Sequence, residues 1–278
     1  MPSEPSPPRD DWTHLESPEA AAVAIAKMEA LGRSTGEVAA RQRYLDLLDI
    51  RAGHAVIDVG AGTGITAVEM ARRVGPSGRV VVFDASAQLV AFAGASAQRA
   101  GVSEILECCT GRAEALPFPD GAFDRSFCRW LLLHTEAPDR VVREVLRVTR
   151  PGGRIMCLEV DWETVTVHPG GRALTRRILN FSNDRHIEGW SGRRLAPLLR
   201  AWGASEVRVA PIVIVDEGCE GPEWLQFLHQ RAEMAAQQGV VSLAEASGWR
   251  EEIDRAAARG GYFFSLTQFA VWGVAGRS

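Results

Sequence analysis

The sequence predicts an open, doubly wound α/β fold. From Ala55 onward short apolar runs alternate with stretches of helical periodicity, a glycine-rich turn follows the first run, and an aspartate closes the second. Such alternation builds a parallel sheet with helices on both faces, and the turn and the acid fall at the carboxyl edge, where these sheets bind ligands. With 278 residues the chain can bury a full core as one large domain with elaborations.

The elements follow in order. Residues 1–16 are rich in Pro, Ser and charge, lack the apolar core of a signal peptide, and are expected to be disordered. Ser17-Pro18-Glu19 supplies an N-cap, a proline at the first helical position and an acid in the first turn, and Gly32 is expected to stop that helix. A second helix begins near Thr35, carries Val38, Leu45 and Leu48 at helical spacing, and ends before Gly53. Residues 55–59, 80–83, 105–109, 123–128 and 155–160 read as strands, with helices over 66–74, 87–100 and 140–148 between them. Two later runs, 207–215 and 263–274, fit an antiparallel edge pair. The stretches 163–203 and 217–261 exceed what a crossover needs and read as lids or substrate walls. Residues 17–278 are thus read as one domain, with 17–52 as N-terminal helices.

Composition narrows the function. An apolar fraction of 46% with 24% charged residues is that of an ordinary globular protein. A formal net charge of −4 leaves no basic footprint for nucleic acid, so a small molecule is the expected partner. Lys27 is the only lysine, which sets aside Schiff-base and lysine-nucleophile chemistry. The five cysteines form no zinc-type spacing; no metal site is expected, and the thiols suit the reducing cytoplasm. No segment approaches the roughly 18 apolar residues of a membrane span. A homodimer is the one oligomer allowed for.

Val56-Ile57-Asp58-Val59-Gly60-Ala61-Gly62-Thr63-Gly64 is an apolar strand entering a glycine-rich turn that opens a helix. Glycines there let the backbone approach a ligand, and the helix start offers free N–H donors. Asp84 ends the second strand about 20 residues after the last glycine, the spacing at which an acid accepts ribose hydroxyls. The alternative is that Asp84 caps the following helix together with Ser86. The run Gly62 to Ala67 also satisfies G-x-G-x-x-A, which keeps an NAD-dependent oxidoreductase in view. Counted from the first glycine, however, the turn reads G-x-G-x-G and places Ile65 where a dinucleotide site needs its third glycine, and no Tyr-Lys pair is recognisable.

From about Gly53 to Trp162 the sequence resembles the class I S-adenosylmethionine-dependent methyltransferases, and within them the small-molecule group related to the ubiquinone and menaquinone biosynthesis methyltransferases. The resemblance rests on Val56 to Gly64, on Phe83-Asp84-Ala85-Ser86, on Gly111-Arg112-Ala113-Glu114-Ala115-Leu116-Pro117-Phe118, on Phe123-Asp124, on Leu133-His134, and on Leu146-Arg147-Val148-Thr149-Arg150-Pro151-Gly152-Gly153. It implies a Rossmann-like, seven-stranded, mostly parallel sheet with an antiparallel last strand. It implies S-adenosyl-L-methionine as cofactor and methyl transfer to an O, N or C nucleophile of a small metabolite. By the same resemblance Asp58, Gly60, Gly62 and Gly64 hold the methionine part, Asp84 with Ala85 the ribose, and Ala113 with Glu114 the adenine edge. Cys128 and Arg129 line the methionine and reaction centre, where Arg129 either pairs the cofactor carboxylate or is structural. Arg112 departs from the family, which commonly has Asp there to accept the adenine amino hydrogens; arginine has no acceptor.

The sulfonium already activates the methyl group, so positioning dominates and a base is needed only for a protonated nucleophile. His134, just past the fourth strand, is the candidate base, unless it is a hydrogen-bonded helix histidine. Glu159 and Asp161, with Trp162 beside them, end the fifth strand, where Glu159 either contacts substrate or caps the exit. His168, Asn183, His186 and Trp190 in the first insertion line a pocket or the surface, while Trp224, Phe227 and His229 in the second read as lid packing. A methyltransferase-like protein using the cofactor without methyl transfer remains the second reading.

Overall fold

The computed structural model describes residues 17–184, 189–219 and 222–276; residues 1–16 and His186 lie outside them. Helix α1 (Pro18–Arg33) starts as expected, with Ser17 Oγ accepting the Ala20 N–H at 3.0 Å. It does not stop at Gly32. That glycine is buried inside the helix, where a Cβ would come to 2.9 Å from Ile65 Cδ1, so its role is close packing and not termination. In α2 (Thr35–Leu48) the buried face is Glu37, Ala40, Arg41, Tyr44, Leu45 and Leu48, while the expected Val38 faces outward.

Strand β1 (Ala55–Val59), helix α3 (Ile65–Val74), strand β2 (Arg79–Asp84), helix α4 (Ala87–Arg99) and strands β3 (Leu106–Thr110) and β4 (Phe123–Arg129) follow the predicted alternation. Helix α5 (Pro138–Val148) begins at its proline, which needs no N–H partner in the first turn. Strand β5 (Thr149–His168) is far longer than expected, because after a bulge between Asp161 and Thr166 it pairs again with the last strand. Helices α6 (Arg172–Asn183) and α7 (Ser191–Ala201) precede β6 (Ser205–Asp216); helices α8 (Pro222–Gln237) and α9 (Leu243–Ala257) precede β7 (Phe263–Val274). Helix α9 opens on a capping box between Ser242 and Glu245.

The seven strands lie in the order β3-β2-β1-β4-β5-β7-β6, with β1 to β5 parallel and β7 antiparallel to both neighbours. A dinucleotide-type sheet runs 3-2-1-4-5-6 with its last strand parallel, so this order departs from it where β7 inserts. Alternate strand residues feed two cores. Val56, Val82, Phe127, Met156 and Leu158 pack with α2, α3 and α4; Ile57, Val81, Cys128, Ile155 and Cys157 pack with α5 and α7. Helix α1 is held separately, by Ala21, Ala24, Ile25 and Met28 against Leu89 of α4.

The described helices of the first insertion, expected as a lid or substrate wall, pack against the rest of the fold. Helix α7 covers the sheet, and α6 backs the α8–α9 pair. Trp249 of α9, 1% exposed, fixes that pair to α6 by donating its Nε1–H to Thr175 Oγ1 at 2.9 Å. Trp249→Ala should therefore cost about 3–5 kcal/mol, read as a lower midpoint in urea denaturation followed by circular dichroism. A loss under about 1 kcal/mol would show that α9 does not depend on this anchor.

Candidate functional site

The turn after β1 contains Gly60, Gly62 and Gly64 at φ 73°, 56° and 74°, backbone values that side-chain-bearing residues rarely adopt. Close packing adds a second reason for glycine. A Cβ on Gly64 would stand 2.8 Å from Ala93 Cβ of α4, and one on Gly60 would stand 3.0 Å from Leu131 Cδ1. The turn is tied to the end of β2: the Gly60 N–H donates to Phe83 O at 2.7 Å and the Gly62 N–H to Asp84 Oδ2 at 2.9 Å.

The capping alternative for Asp84 describes part of its geometry. Its Oδ1 accepts the Ser86 N–H at 2.9 Å, and Ser86 Oγ caps α4 by accepting the Leu89 N–H at 3.3 Å. Burial raises the Asp84 carboxyl above the usual carboxylate range, partly opposed by the Ser86 and Gly62 amides. Asp58, 2% exposed on β1, is pushed up to about 7 by burial first and by the neighbouring Asp84 second, with Arg129 opposing.

These groups open onto a cleft of about 2000 Å³. Asp58, Gly60, Gly62, Asp84, Ala85, Ala113, Glu114, Arg129 and His134 all line it; Gly64 sits behind the turn. At the far end Glu114 Oε1 accepts the Thr135 hydroxyl at 3.0 Å and Arg112 Nη2 at 3.3 Å, while the Arg112 side chain is 80% exposed. The other walls are α1, through Lys27 and Met28 among others, and α8, through Trp224, Phe227, Arg231 and Met234. Trp162 and Phe227 stack at 5.4 Å, and the Arg231 guanidinium lies 4.4 Å from the Phe227 centroid. Trp224 and Phe227 thus pack the inner side of α8 and face the cleft as well.

Arg129 is already engaged. Its Nη2 donates to both carboxylate oxygens of the buried Glu37 at 2.7 Å, its Nε donates to Gln268 Oε1 at 3.2 Å, and its plane covers the Trp130 ring at 4.2 Å. Glu37 and Gln268 thus take Nη2 and Nε of an arginine that also lines the cleft.

Two expected site residues stand elsewhere, for one reason. Successive strand residues point to opposite faces, so the cleft takes Arg129 and Trp162 while Cys128 and Glu159 face α5 and α7. The Cys128 thiol lies 3.2 Å from Cys157 Sγ in that second core. Glu159, 0% exposed and outside the cleft lining, does not contact substrate space: its Oε1 accepts the Leu131 and Leu132 N–H groups at 2.9 and 2.7 Å, and Oε2 accepts the Ser191 hydroxyl at 3.3 Å. Burial pushes its carboxyl up to about 8 against those three donors and Arg129. Asp161 is likewise taken up by Arg193 of α7. None of His168, Asn183 and Trp190 lines the cleft: Asn183 Nδ2 donates to Trp162 O, and Trp190 Nε1 donates to Glu163. His229 is turned to Asp254 of α9 at 2.8 Å. Sequence reasoning missed Glu37, Met28, Gln268 and Arg231. Only Glu37 carried a signal, as an acid among the helix positions that must be buried beside an arginine needing a partner.

The fold is an α/β sheet whose parallel strands carry a glycine turn and a cleft at their carboxyl edge and whose last strand, β7, inserts antiparallel between β5 and β6, the class I methyltransferase arrangement. Residues 57–157 match the family described as methyltransferase domain, and the chain carries a class I S-adenosylmethionine-dependent methyltransferase domain related to the UbiE C-methyltransferases. It is 38% identical over 120 residues to the ubiquinone/menaquinone biosynthesis C-methyltransferase UbiE of Hahella chejuensis, a match covering 43% of this chain and 48% of that protein. It is 29% identical over 228 residues to a 37.1 kDa protein in transposon TN4556 of Streptomyces fradiae, covering 82% and 64% respectively. The chain therefore spans about half to two thirds of the length of these relatives. Among solved structures its fold is like that of the [4+2]-cyclase SpnF, with 23% identity, TM-score 0.57 and 89% and 85% coverage. It is also like geranyl diphosphate methyltransferase, with 18% identity, TM-score 0.54 and 95% and 94% coverage. Among the described residues no helix is long and apolar enough to cross a membrane.

Two raised carboxyls set a pH dependence. Asp58 and Glu159 release their protons in the unfolded chain near the ordinary values of 3.8 and 4.5, but in the folded chain only near 7 and 8. The folded state therefore binds more protons between those limits, and stability falls as pH rises through them. Thermal unfolding from pH 5 to pH 8.5, about the span between those values, should show a declining midpoint, with a shallower decline in Asp58→Asn. Parallel curves for the two proteins would remove Asp58 from this account.

Proposed function

We propose that this protein binds S-adenosyl-L-methionine in the cleft and transfers its methyl group to an O, N or C nucleophile of a small-molecule acceptor. The observation that carries the reading is the Asp84 carboxylate, fixed by the Gly62 and Ser86 amides at the mouth of a three-glycine turn and facing a deep cleft. The donor set fits the cofactor: a glycine turn open to the cleft at Gly60 and Gly62 for the methionine half, carboxylate oxygens for ribose hydroxyls, and the residue 111–115 loop for the adenine. When bound, S-adenosylmethionine supplies a methyl group already activated on a sulfonium.

What the chain contributes is placement. Aligning a nucleophile is worth about 7–11 kcal/mol of such a barrier. Helices α1 and α8 flank the cleft. The stacked Trp162 and Phe227, with Trp224 beside them and Arg231 over their faces, suit an acceptor with an apolar, ring-bearing body. His134 stands at the cleft edge of the turn after β4, where it serves a protonated nucleophile as base. The fold by itself does not dictate methyl transfer; formation of S-adenosylhomocysteine with a one-methyl mass gain in an acceptor screen separates this reading from non-methylating use of the cofactor.

Because hydrogen bonds to a charged group contribute about 1.5–3 kcal/mol, Asp84→Ala should weaken S-adenosylmethionine binding by about tenfold or more in calorimetry. Unchanged affinity in a folded variant would take Asp84 out of the site. His134→Ala should lower the single-turnover rate by about 10²–10⁴-fold with cofactor affinity retained. A full rate in that variant would sink the base assignment, and a lower melting temperature alone would mark a packing histidine.

A further inference from the structure

We infer that Glu159 is the positioning residue for the methionine side of the cofactor slot, acting through the backbone of the turn that follows β4. The chain leaves β4 through Trp130, whose φ of 51° lies in the left-handed region that non-glycine residues avoid. It then enters a single 3-10 turn, Leu132–His134, with Leu132 and Leu133 buried. The first amides of such a turn have no partner within it. Buried and unpaired they would be costly, and Glu159, reaching from the neighbouring strand on the far face of the sheet, accepts both through one oxygen at 2.9 and 2.7 Å.

The held segment is the wall opposite the glycine turn. Leu131 presses on Gly60, where a Cβ would meet its Cδ1 at 3.0 Å and its Cβ at 3.2 Å. Trp130, Leu131, Leu133 and His134 all line the cleft. The turn is anchored at three further points, by the Trp130 N–H donating to Leu158 O at 2.9 Å, by Trp130 Nε1 donating to Gln268 Oε1 at 3.0 Å and by the Thr135 hydroxyl on Glu114 at 3.0 Å. None of these engages the Leu131 and Leu132 amides, so the backbone between them, and with it the seat of Leu131 on Gly60, is fixed by Glu159. A carboxyl in the second core is thus coupled to the cleft without entering it.

This inference rests on reading the cleft as an S-adenosylmethionine site, and its test keeps the two apart. Calorimetry on the full chain compares S-adenosylhomocysteine with 5′-methylthioadenosine, which lacks the amino-acid end. Glu159→Leu, which removes both acceptor bonds, should weaken S-adenosylhomocysteine by about tenfold or more and leave 5′-methylthioadenosine within about threefold, and Glu159→Gln, which keeps an acceptor oxygen, should recover most of the loss. If Glu159→Leu does not fold, Glu159→Asp, one methylene short of the amides, carries the same comparison. Equal weakening of both ligands, or no weakening, would overturn the positioning role while the cofactor site stands. A wild-type protein that binds neither ligand would overturn the site itself and this inference with it.

Discussion

Burial of charge at the carboxyl ends of the parallel strands is the constraint around which the rest is arranged. The strands are covered on both faces, so an ionisable side chain at a strand end enters a low-dielectric interior and has to be hydrogen-bonded, paired or neutral. Asp84 is met by two amides, Arg129 by Glu37 and Gln268, Glu159 by two amides and Ser191, and Asp161 by Arg193. Asp58 is raised by its burial and by the neighbouring Asp84. Each solution draws another element toward the cleft edge: α2 through Glu37, α7 through Ser191 and Arg193, β7 through Gln268.

The matched methyltransferase region ends at residue 157, within β5, and supplies the glycine turn, Asp84, the residue 111–115 loop and the turn after β4. The facing walls, α1 and α8, lie outside it. Helix α8 is stiffened by stacked aromatics that reach from Trp162 through Phe227 and Trp224 to Phe264 of β7. Helix α1 is attached by a small cluster of Ala21, Ala24, Ile25 and Met28 against Leu89, and at its end by Leu31 on the main core and Gly32 against Ile65.

Most of the sheet was legible in the sequence because each strand is short, apolar and bounded by turn residues, and because Gly60, Gly62 and Gly64 with Asp84 occupy positions fixed by backbone geometry. The same local signals placed Ser17 and the β6–β7 pair. What they do not carry is facing. Cys128 and Arg129 are adjacent and equally near a strand end, yet a two-residue period sends one into the α5–α7 core and the other to the cleft. With both faces covered by helices, no polar side marks which is which.

The sequence by itself determined the α/β order, the glycine turn, the acid after β2 and the membership of the cofactor half, all properties of contiguous residues. Tertiary structure alone decided that Gly32 is a packing position, that β5 runs on to His168 because β7 is there to pair with it, and that α7 covers the sheet while α8 walls the cleft. It alone turned Glu159 from a substrate contact into the support of a neighbouring turn, because its partners lie 27 to 32 residues away in the chain, and pairing over that distance is set by how the strands are laid side by side.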